Sequence, residues 1–182
     1  LMRADDIPAV RGLRLFAGMS EAAFADLVQG AFLQRFPPQV TLVQEGEPAD
    51  FLYVLVEGRV ELFAGGNGRE TTMAIVEPVT PFILAAVLKD AVFLMSARTL
   101  ARSRVLMIPA ATIRETMERD PPFTRAMVQE LAEAFRRSIK SLKSQKLRTA
   151  VERLGNWLLA AEAGQGGIGM VTLTIDKRTL AA

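Results

Sequence analysis

The sequence predicts an α+β protein in which an antiparallel β-roll of the jelly-roll (double-stranded β-helix) type is followed by a long helix. Two observations support this prediction. Between Gly30 and Pro109, short runs of β-branched and aromatic residues are separated by glycine-containing turns, which is typical of an antiparallel roll or barrel. From Phe123 to about Lys146, by contrast, the chain contains neither glycine nor proline and is rich in helix-forming residues.

The elements follow one another in a clear order. Helical spacing of apolar residues, with Ser20 as a cap for the first helix, predicts helices at Ser20–Val28, Ala110–Arg119, Phe123–Lys146 and Leu147–Ala163. Strand-forming runs predict strands within residues 32–43 and at Phe51–Val56, Arg59–Phe63, Thr71–Val76, Leu94–Leu100, Val105–Ile108 and Val171–Ile175. These changes divide the chain into a roll domain at residues 1–119, a long helix at 120–146 and a further, incomplete domain at 147–182.

Composition excludes several functions. Lys and Arg total 22 against 20 Asp and Glu, so the net charge gives no general argument for nucleic-acid binding. The sequence has no Cys and no His, which excludes zinc fingers, thiolate-held iron–sulfur clusters and Cys or Ser–His nucleophiles. Glu45, Glu47 and Asp50 lie close together, but no basic partner joins them, and we assign them to a solvated turn. We therefore expect no enzyme.

We expect a cytoplasmic protein with no membrane partner. Residues 1–6 lack the apolar core of a signal peptide, and no apolar run reaches the length of a membrane span. The missing cysteines are compatible with a reducing compartment.

The long helix carries an apolar seam. Val128, Phe135 and Leu142 recur every seven residues, Leu131 occupies a companion d-type position, and Ile139 lies beside the seam. A seam of this period on so long a helix favours pairing with a second copy of the chain. The alternative is that the seam packs back on the roll, but one short roll face cannot cover several turns of helix.

The most specific segment of the chain is QEGEPADFLYVLVEGRV at residues 44–60. It closely resembles the signature of cyclic-nucleotide-binding-like domains in the Crp/Fnr family of bacterial transcription regulators. The lead-in Leu15–Ser20 and the closing Val105–Pro109 are similar to the family pattern as well. Gly46 and Gly58 are expected where the roll turns tightly, because a side chain would hinder such turns.

The resemblance implies a homodimer that places two winged helix-turn-helix heads on DNA, with an effector in the roll setting their orientation. Residues 174–182 resemble the approach to that motif and the start of its first helix, without the recognition helix that would contact bases. DNA is therefore a partner implied by the family. The alternative is a stand-alone cyclic-nucleotide-binding-like module without a DNA function.

The family also implies where a cyclic nucleotide would bind. Family members that bind cyclic AMP use a Gly-Glu pair for the ribose and an Arg-Ser/Thr-Ala run for the phosphate. Here Leu84-Ala85 stands in place of Gly-Glu and Met95 in place of the arginine, while Ser96 and Ala97 remain. Alternation along a strand turns Arg98 to the face opposite Met95, so Arg98 is not expected to replace the missing cation. We predict that the effector is not a cyclic nucleotide.

Two interpretations of this pocket remain open. It is either an apolar effector site or simply filled by its own side chains. The residues assigned to it are Phe82, Ile83, Leu84, Ala85, Val87, Met95, Ser96, Ala97, Phe135 and Ile139. An apolar small molecule is one candidate effector, and haem that senses a gas is another, since some relatives of the family use it. The missing His and Cys leave only Met, Tyr53 or the terminal amine as haem ligands.

Overall fold

The computed structural model describes residues 2–66, 68–165 and 169–173. This part of the chain divides into two compact units, the first ending at Leu131 and the second beginning at Ala132. Each unit is described by itself below.

Eight strands form the roll: β1 (Phe32–Phe36), β2 (Thr41–Val43), β3 (Phe51–Glu57), β4 (Val60–Gly66), β5 (Arg69–Val76), β6 (Thr80–Phe82), β7 (Ser96–Thr99) and β8 (Ser103–Pro109). They build two four-stranded antiparallel sheets with the orders β1-β8-β3-β6 and β2-β7-β4-β5. The long helix follows the roll along the chain, so the predicted α+β class is confirmed.

The turn at Glu57 and Gly58 joins strands of different sheets. β3 pairs with β6 and β8, whereas β4 pairs with β5 and β7, so the two strands do not form a hairpin with each other. The next turn does close a hairpin, in which Val60 opposes Val76 and Gly66 opposes Arg69. A tight turn between two strands was predicted correctly, but the sequence does not specify that the chain changes sheet there.

The core lies on both faces of the first sheet. Along β3, Leu52 and Val54 point to one side and Tyr53 and Leu55 to the other, and all four are at most 8% exposed. Burial on both faces explains why β3 is an almost unbroken apolar run rather than an alternating one.

In the described part of the chain, six α-helices flank and follow the roll. They are α1 (Ile7–Arg11), α2 (Glu21–Gln29), α3 (Leu84–Lys89), α4 (Ala110–Arg119), α5 (Pro121–Leu147) and α6 (Ala150–Gly164), after a short 3-10 turn at Ala4–Asp6. Helix α4 has the predicted bounds and packs on β3 and β8, and α2 packs on α4. The Ser20 hydroxyl caps α2 by accepting a hydrogen bond from the Ala23 amide, as its sequence position predicts.

Asp120 joins the starts of two helices. Its carboxylate accepts hydrogen bonds from the Phe123 amide at 2.9 Å and from the Ser20 amide and hydroxyl at 3.0 Å each. Burial by itself would raise the pKa of Asp120. The hydrogen bonds from Ser20 and Phe123, together with the nearby Arg11, outweigh it and hold the pKa below its ordinary value.

The first turns of α5 are anchored in the first unit. Phe123 and Met127 are fully buried, and the Phe123 ring stacks on Phe16 with centroids 6.2 Å apart. Glu130, which is 8% exposed, pairs with Arg14 at 2.6 Å between Oε1 and Nη2. This part of α5 is therefore fixed by packing as well as by helix propensity.

The second unit contains the rest of α5 and all of α6. Helix α5 ends at Leu147, close to its predicted end, and α6 begins at Ala150 rather than at the predicted Leu147, because Thr149 caps it through a capping box with Glu152. The predicted strand Val171–Ile175 lies partly outside the described residues, and residues 171–173 form no strand. The predicted helix start at residues 176–182 lies outside them altogether.

None of the helices in the described part of the chain is long and apolar enough to span a membrane.

Candidate effector site in the roll

The segment expected to bind the ribose of a nucleotide forms a short helix, α3, that sequence reasoning missed. Ile83 enters it with a φ of +56°. Leu84 and Val87 are buried, whereas Ala85 is exposed. The Arg114 guanidinium holds the end of α3 by donating to the Val87 carbonyl at 3.0 Å and pairing with Asp90 at 3.1 Å. The position of the family's ribose carboxylate therefore presents only a methyl group.

The segment expected to bind the phosphate brings no cation inward. Met95 is half-buried and precedes β7, which begins at Ser96. The Ser96 hydroxyl accepts a hydrogen bond from the Glu45 amide at 3.0 Å, and Ala97 is fully buried. The Ser96 hydroxyl is thus already hydrogen-bonded to the turn at residues 44–47.

Arg98 lies on the opposite face of β7 from Ala97, in a charged cluster that the sequence did not predict. Its guanidinium pairs with Glu61 at 2.8 Å and Glu70 at 3.2 Å, and it lies 4.3 Å from the centre of the Phe63 ring. Glu61 is only 4% exposed and also accepts a hydrogen bond from Thr72. A buried carboxylate needs such a partner, so Arg98 is occupied as the counterion of Glu61.

The two signature glycines both have backbone angles that disfavour a side chain. Gly46 has a φ of +87° and Gly58 a φ of +96°. A Cβ at Gly58 would also lie 2.5 Å from the Arg102 carbonyl oxygen, whereas one at Gly46 would meet nothing within 4 Å. Gly58 is therefore required both by its φ and by close backbone approach.

The roll contains a cavity of about 400 Å³ to which both sheets contribute. Its lining residues are Leu42, Val43, Glu47, Pro48, Asp50, Phe51, Tyr53 and Phe93. Among the residues predicted for the pocket, Phe82 lies directly behind this wall, because its ring stacks on Tyr53 at 5.6 Å. The other predicted roll residues do not line the cavity, and Phe135 and Ile139 belong to the second unit. The pocket assigned from the sequence stays a prediction.

Three aromatic rings meet at the cavity. Phe51 and Phe93 both stand edge-on to Tyr53, with ring centroids 6.5 Å apart in each pair. The Tyr53 hydroxyl donates to the Leu42 carbonyl of the facing sheet at 3.4 Å. Burial raises the pKa of Tyr53, and the negative charges of Glu47 and Asp50 raise it further. In the sequence, Phe51 and Tyr53 were the available signal for an aromatic site, whereas Phe93 is brought to it only by the fold.

A larger hollow of about 620 Å³ lies against the β4–β5 hairpin, lined by Ala64, Gly65, Gly66, Arg69 and Thr71. Its walls consist mainly of backbone and small side chains, and Arg69 supplies the one charge among the lining residues. It has none of the convergent apolar and polar groups of a ligand site, so we assign it no function.

Comparisons with known proteins agree with this geometry. Residues 33–120 match the family model of the Cyclic nucleotide-binding domain. A "CRP-like cAMP-activated global transcriptional regulator" of Mycobacterium tuberculosis is 26% identical over 182 residues, covering 97% of this chain and 80% of that protein. The roll is thus similar to the cyclic nucleotide-binding domain, and the chain is similar along nearly its whole length to a CRP-like transcription regulator.

Solved structures support the same fold. FixK2 from Bradyrhizobium japonicum matches with a TM-score of 0.71 at 20% identity, over 82% of this chain and 75% of that one. Thermus thermophilus Catabolite Activator Protein matches with a TM-score of 0.60 at 22% identity, over 84% of this chain and 71% of that one. At these identities the two structures establish the architecture alone.

Proposed function

We propose that this chain is the sensing and pairing part of a homodimeric, signal-responsive transcription regulator. The observation that supports this most is the extent of the likeness to the Mycobacterium tuberculosis regulator, which spans 97% of the chain. That likeness continues beyond the roll through the residues of α5 and α6. A stand-alone nucleotide-binding module would need to resemble a regulator only in the roll, so we do not favour that alternative.

Pairing is assigned to α5. The apolar seam residues Val128, Leu131, Phe135, Ile139 and Leu142 are between 36% and 65% exposed in the single chain. Such a row of exposed large apolar groups is unfavourable in water unless a partner covers it. A second copy of the same helix presents the matching seam, as a two-fold symmetric dimer requires.

The effector is assigned as a small molecule other than a cyclic nucleotide. Ala85 offers no carboxylate to a ribose, Met95 offers no cation to a phosphate, and Arg98 is held by Glu61 and Glu70. A phosphate anion without a counterion in a largely apolar site loses several kcal/mol, on the order of 2–5 kcal/mol, which abolishes useful affinity. The cyclic-AMP response in the relative's name is therefore not carried over to this chain.

Haem fits the residues of the roll poorly. The sequence contains neither His nor Cys. The Tyr53 hydroxyl, one of the remaining candidate ligands, already donates a hydrogen bond to the Leu42 carbonyl oxygen. Haem is therefore not the expected effector, and protein from haem-replete cells should give a visible absorption spectrum without a Soret band.

Selection of genomic DNA tests the regulatory function. The gene product, taken with any residues encoded after Ala182, is expected to enrich sites with two-fold symmetry and half-sites about 10 base pairs apart. The double variant Phe135→Asp with Leu142→Asp is the matched control, because it disrupts the seam and should lose that enrichment. A product that enriches no site would contradict the function.

Calorimetry tests the exclusion of nucleotides. Cyclic AMP and cyclic GMP are each expected to give no heat of binding at concentrations up to about 100 µM. The double variant Ala85→Glu with Met95→Arg puts back both charged contacts and is expected to gain measurable binding. Micromolar binding by the unaltered chain would refute our interpretation of Ala85 and Met95.

A further inference from the structure

The cavity between the sheets combines aromatic walls with negative charge. Three rings line it, with Phe51 and Phe93 each in contact with the central Tyr53 ring. Glu47 and Asp50 are the charged groups among its described lining residues, which include no Lys or Arg. The site is therefore apolar in its walls and anionic at its rim.

Among the residues that the structure describes, the two carboxylates have no cationic partner of their own. Neither Glu47 nor Asp50 takes part in an ion pair within the described part of the chain. Both side chains are exposed, and the hydrogen bond found for the Glu47 carboxylate among the described residues comes from the Gln44 amide, at 3.2 Å. Their charge is thus available to a molecule that enters the cavity.

The negative charge of the two carboxylates acts on the cavity wall as well as at the rim. After burial, the charges of Glu47 and Asp50 are what raise the pKa of Tyr53. Phe82 stacks on the Tyr53 ring and keeps it in place as a cavity wall. A negative potential over aromatic rings attracts cations, both through the carboxylates and through the ring faces.

We infer that this cavity binds a small organic cation, namely an amine with an apolar or aromatic substituent. The ammonium group lies near Glu47 and Asp50, and the substituent contacts Phe51, Tyr53 and Phe93. That such an amine is the signal rests on the proposed regulatory function, whereas its binding does not. Anions are repelled by the two carboxylates. A metal ion is disfavoured, because the described residues contain no cluster of three acidic ligands.

Fluorine NMR can test the site directly, because Tyr53 is the single tyrosine of the sequence. Protein labelled with 3-fluorotyrosine gives one resonance, which reports from the cavity wall. Three probes of nearly equal size separate charge from apolar contact: phenethylamine, phenethyl alcohol and phenylacetate. Phenethylamine is expected to shift the resonance at a concentration at least about tenfold lower than phenethyl alcohol does, and phenylacetate to leave it unchanged.

Matched variants assign the effect to the two carboxylates. Glu47→Gln combined with Asp50→Asn keeps the shape of both side chains and is expected to weaken phenethylamine binding about tenfold or more. Glu45→Gln is the control for a single neutralised carboxylate, since it removes one negative charge two residues away from Glu47 without touching the lining, and it should change binding little.

Three results would overturn the inference. They are no response to phenethylamine at about 10 mM, equal responses to the amine and the alcohol, or an equal loss of binding in the Glu45→Gln control. The outcome is separable from the regulatory function. Amine binding by a gene product that selects no DNA would keep this site and refute regulation, and DNA selection without an amine response would do the reverse.

Discussion

Gly46 and Gly58 show how one residue type serves two physical purposes within a single signature. At Gly46 only the backbone angle matters, because a Cβ there would meet nothing within 4 Å. At Gly58 the start of β8 lies so close that a Cβ would be 2.7 Å from the Ser103 Cα. The chain can therefore change from one sheet to the other at this point only with a glycine.

Alanine substitutions should separate these two purposes. Gly46→Ala is expected to lower the free energy of unfolding by about 1 kcal/mol, because of its positive φ alone. Gly58→Ala carries the same strain plus a backbone clash and should lower it by about 3 kcal/mol or more. Urea unfolding of both variants measures the difference, and equal midpoints would show that the close approach at Gly58 has no energetic effect.

Other residues mark the limit of sequence reasoning at this scale. The orientation of Arg98 away from the interior followed from strand alternation, and Ala97 on the opposite face is indeed buried. The burial of Glu61 did not follow, because a glutamate between two apolar residues looks like an ordinary outward polar group. Arg98, which lies over the Phe63 ring, supplies its counterion, and the position of Arg98 depends on the pairing of β4 with β7.

Among the elements, helices with local start and stop signals were predictable. Ser20 and the Asp120-Pro121-Pro122 sequence set the limits of α2, α4 and α5, so these helices lie close to their expected positions. Helix α3 was missed because it has six residues, starts after Ile83 in a left-handed conformation and has no polar cap. It is held from outside by Arg114, which no local pattern reveals.

The helix junction at Asp120 should depend on pH. Its pKa lies below the ordinary 3.8, so the folded chain binds this proton more weakly than the unfolded chain does. The stabilising contribution of Asp120 is therefore present above about pH 4 and is lost as the pH falls through the lowered pKa. Asp120→Ala is expected to lower the free energy of unfolding by about 1–2 kcal/mol at neutral pH and to flatten the acid-side loss of stability.

Thermal unfolding between neutral and acidic pH measures this effect. Asp26→Ala is a suitable control, since Asp26 is exposed on α2, and it should leave the midpoint nearly unchanged. An acid-side profile of Asp120→Ala identical to that of the unaltered protein would contradict the assigned role of the carboxylate.

At the scale of the whole molecule, the apolar seam of α5 stays exposed to water in a single chain. Phe135 is 65% exposed and Val128 is 55% exposed, on a helix of 27 residues. The seam was visible in the sequence because heptad spacing is a local property. The cavity was not, since Leu42, Tyr53 and Phe93 come together only when the roll closes.

Light scattering should detect the pairing. The unaltered chain is expected to have twice the mass of one chain, and the double variant Phe135→Asp with Leu142→Asp the mass of one. Lys140→Asp places the same charge on the helix away from the seam and should remain dimeric. A monomer from the unaltered chain, persisting when any residues encoded after Ala182 are included, would refute pairing through α5.

The strand order also governs how the chain reaches this structure. Strand β1 pairs with β8, so Phe32 cannot pair until Met107 is available, and β2 likewise cannot pair until β7 is available. Both pairings join strands that are far apart in the sequence, and domains that depend on such pairings fold on a timescale of roughly milliseconds to seconds. On the ribosome, β1 and β2 would keep open edges until β8 and β7 have emerged, and open strand edges expose a nascent chain to edge-to-edge aggregation.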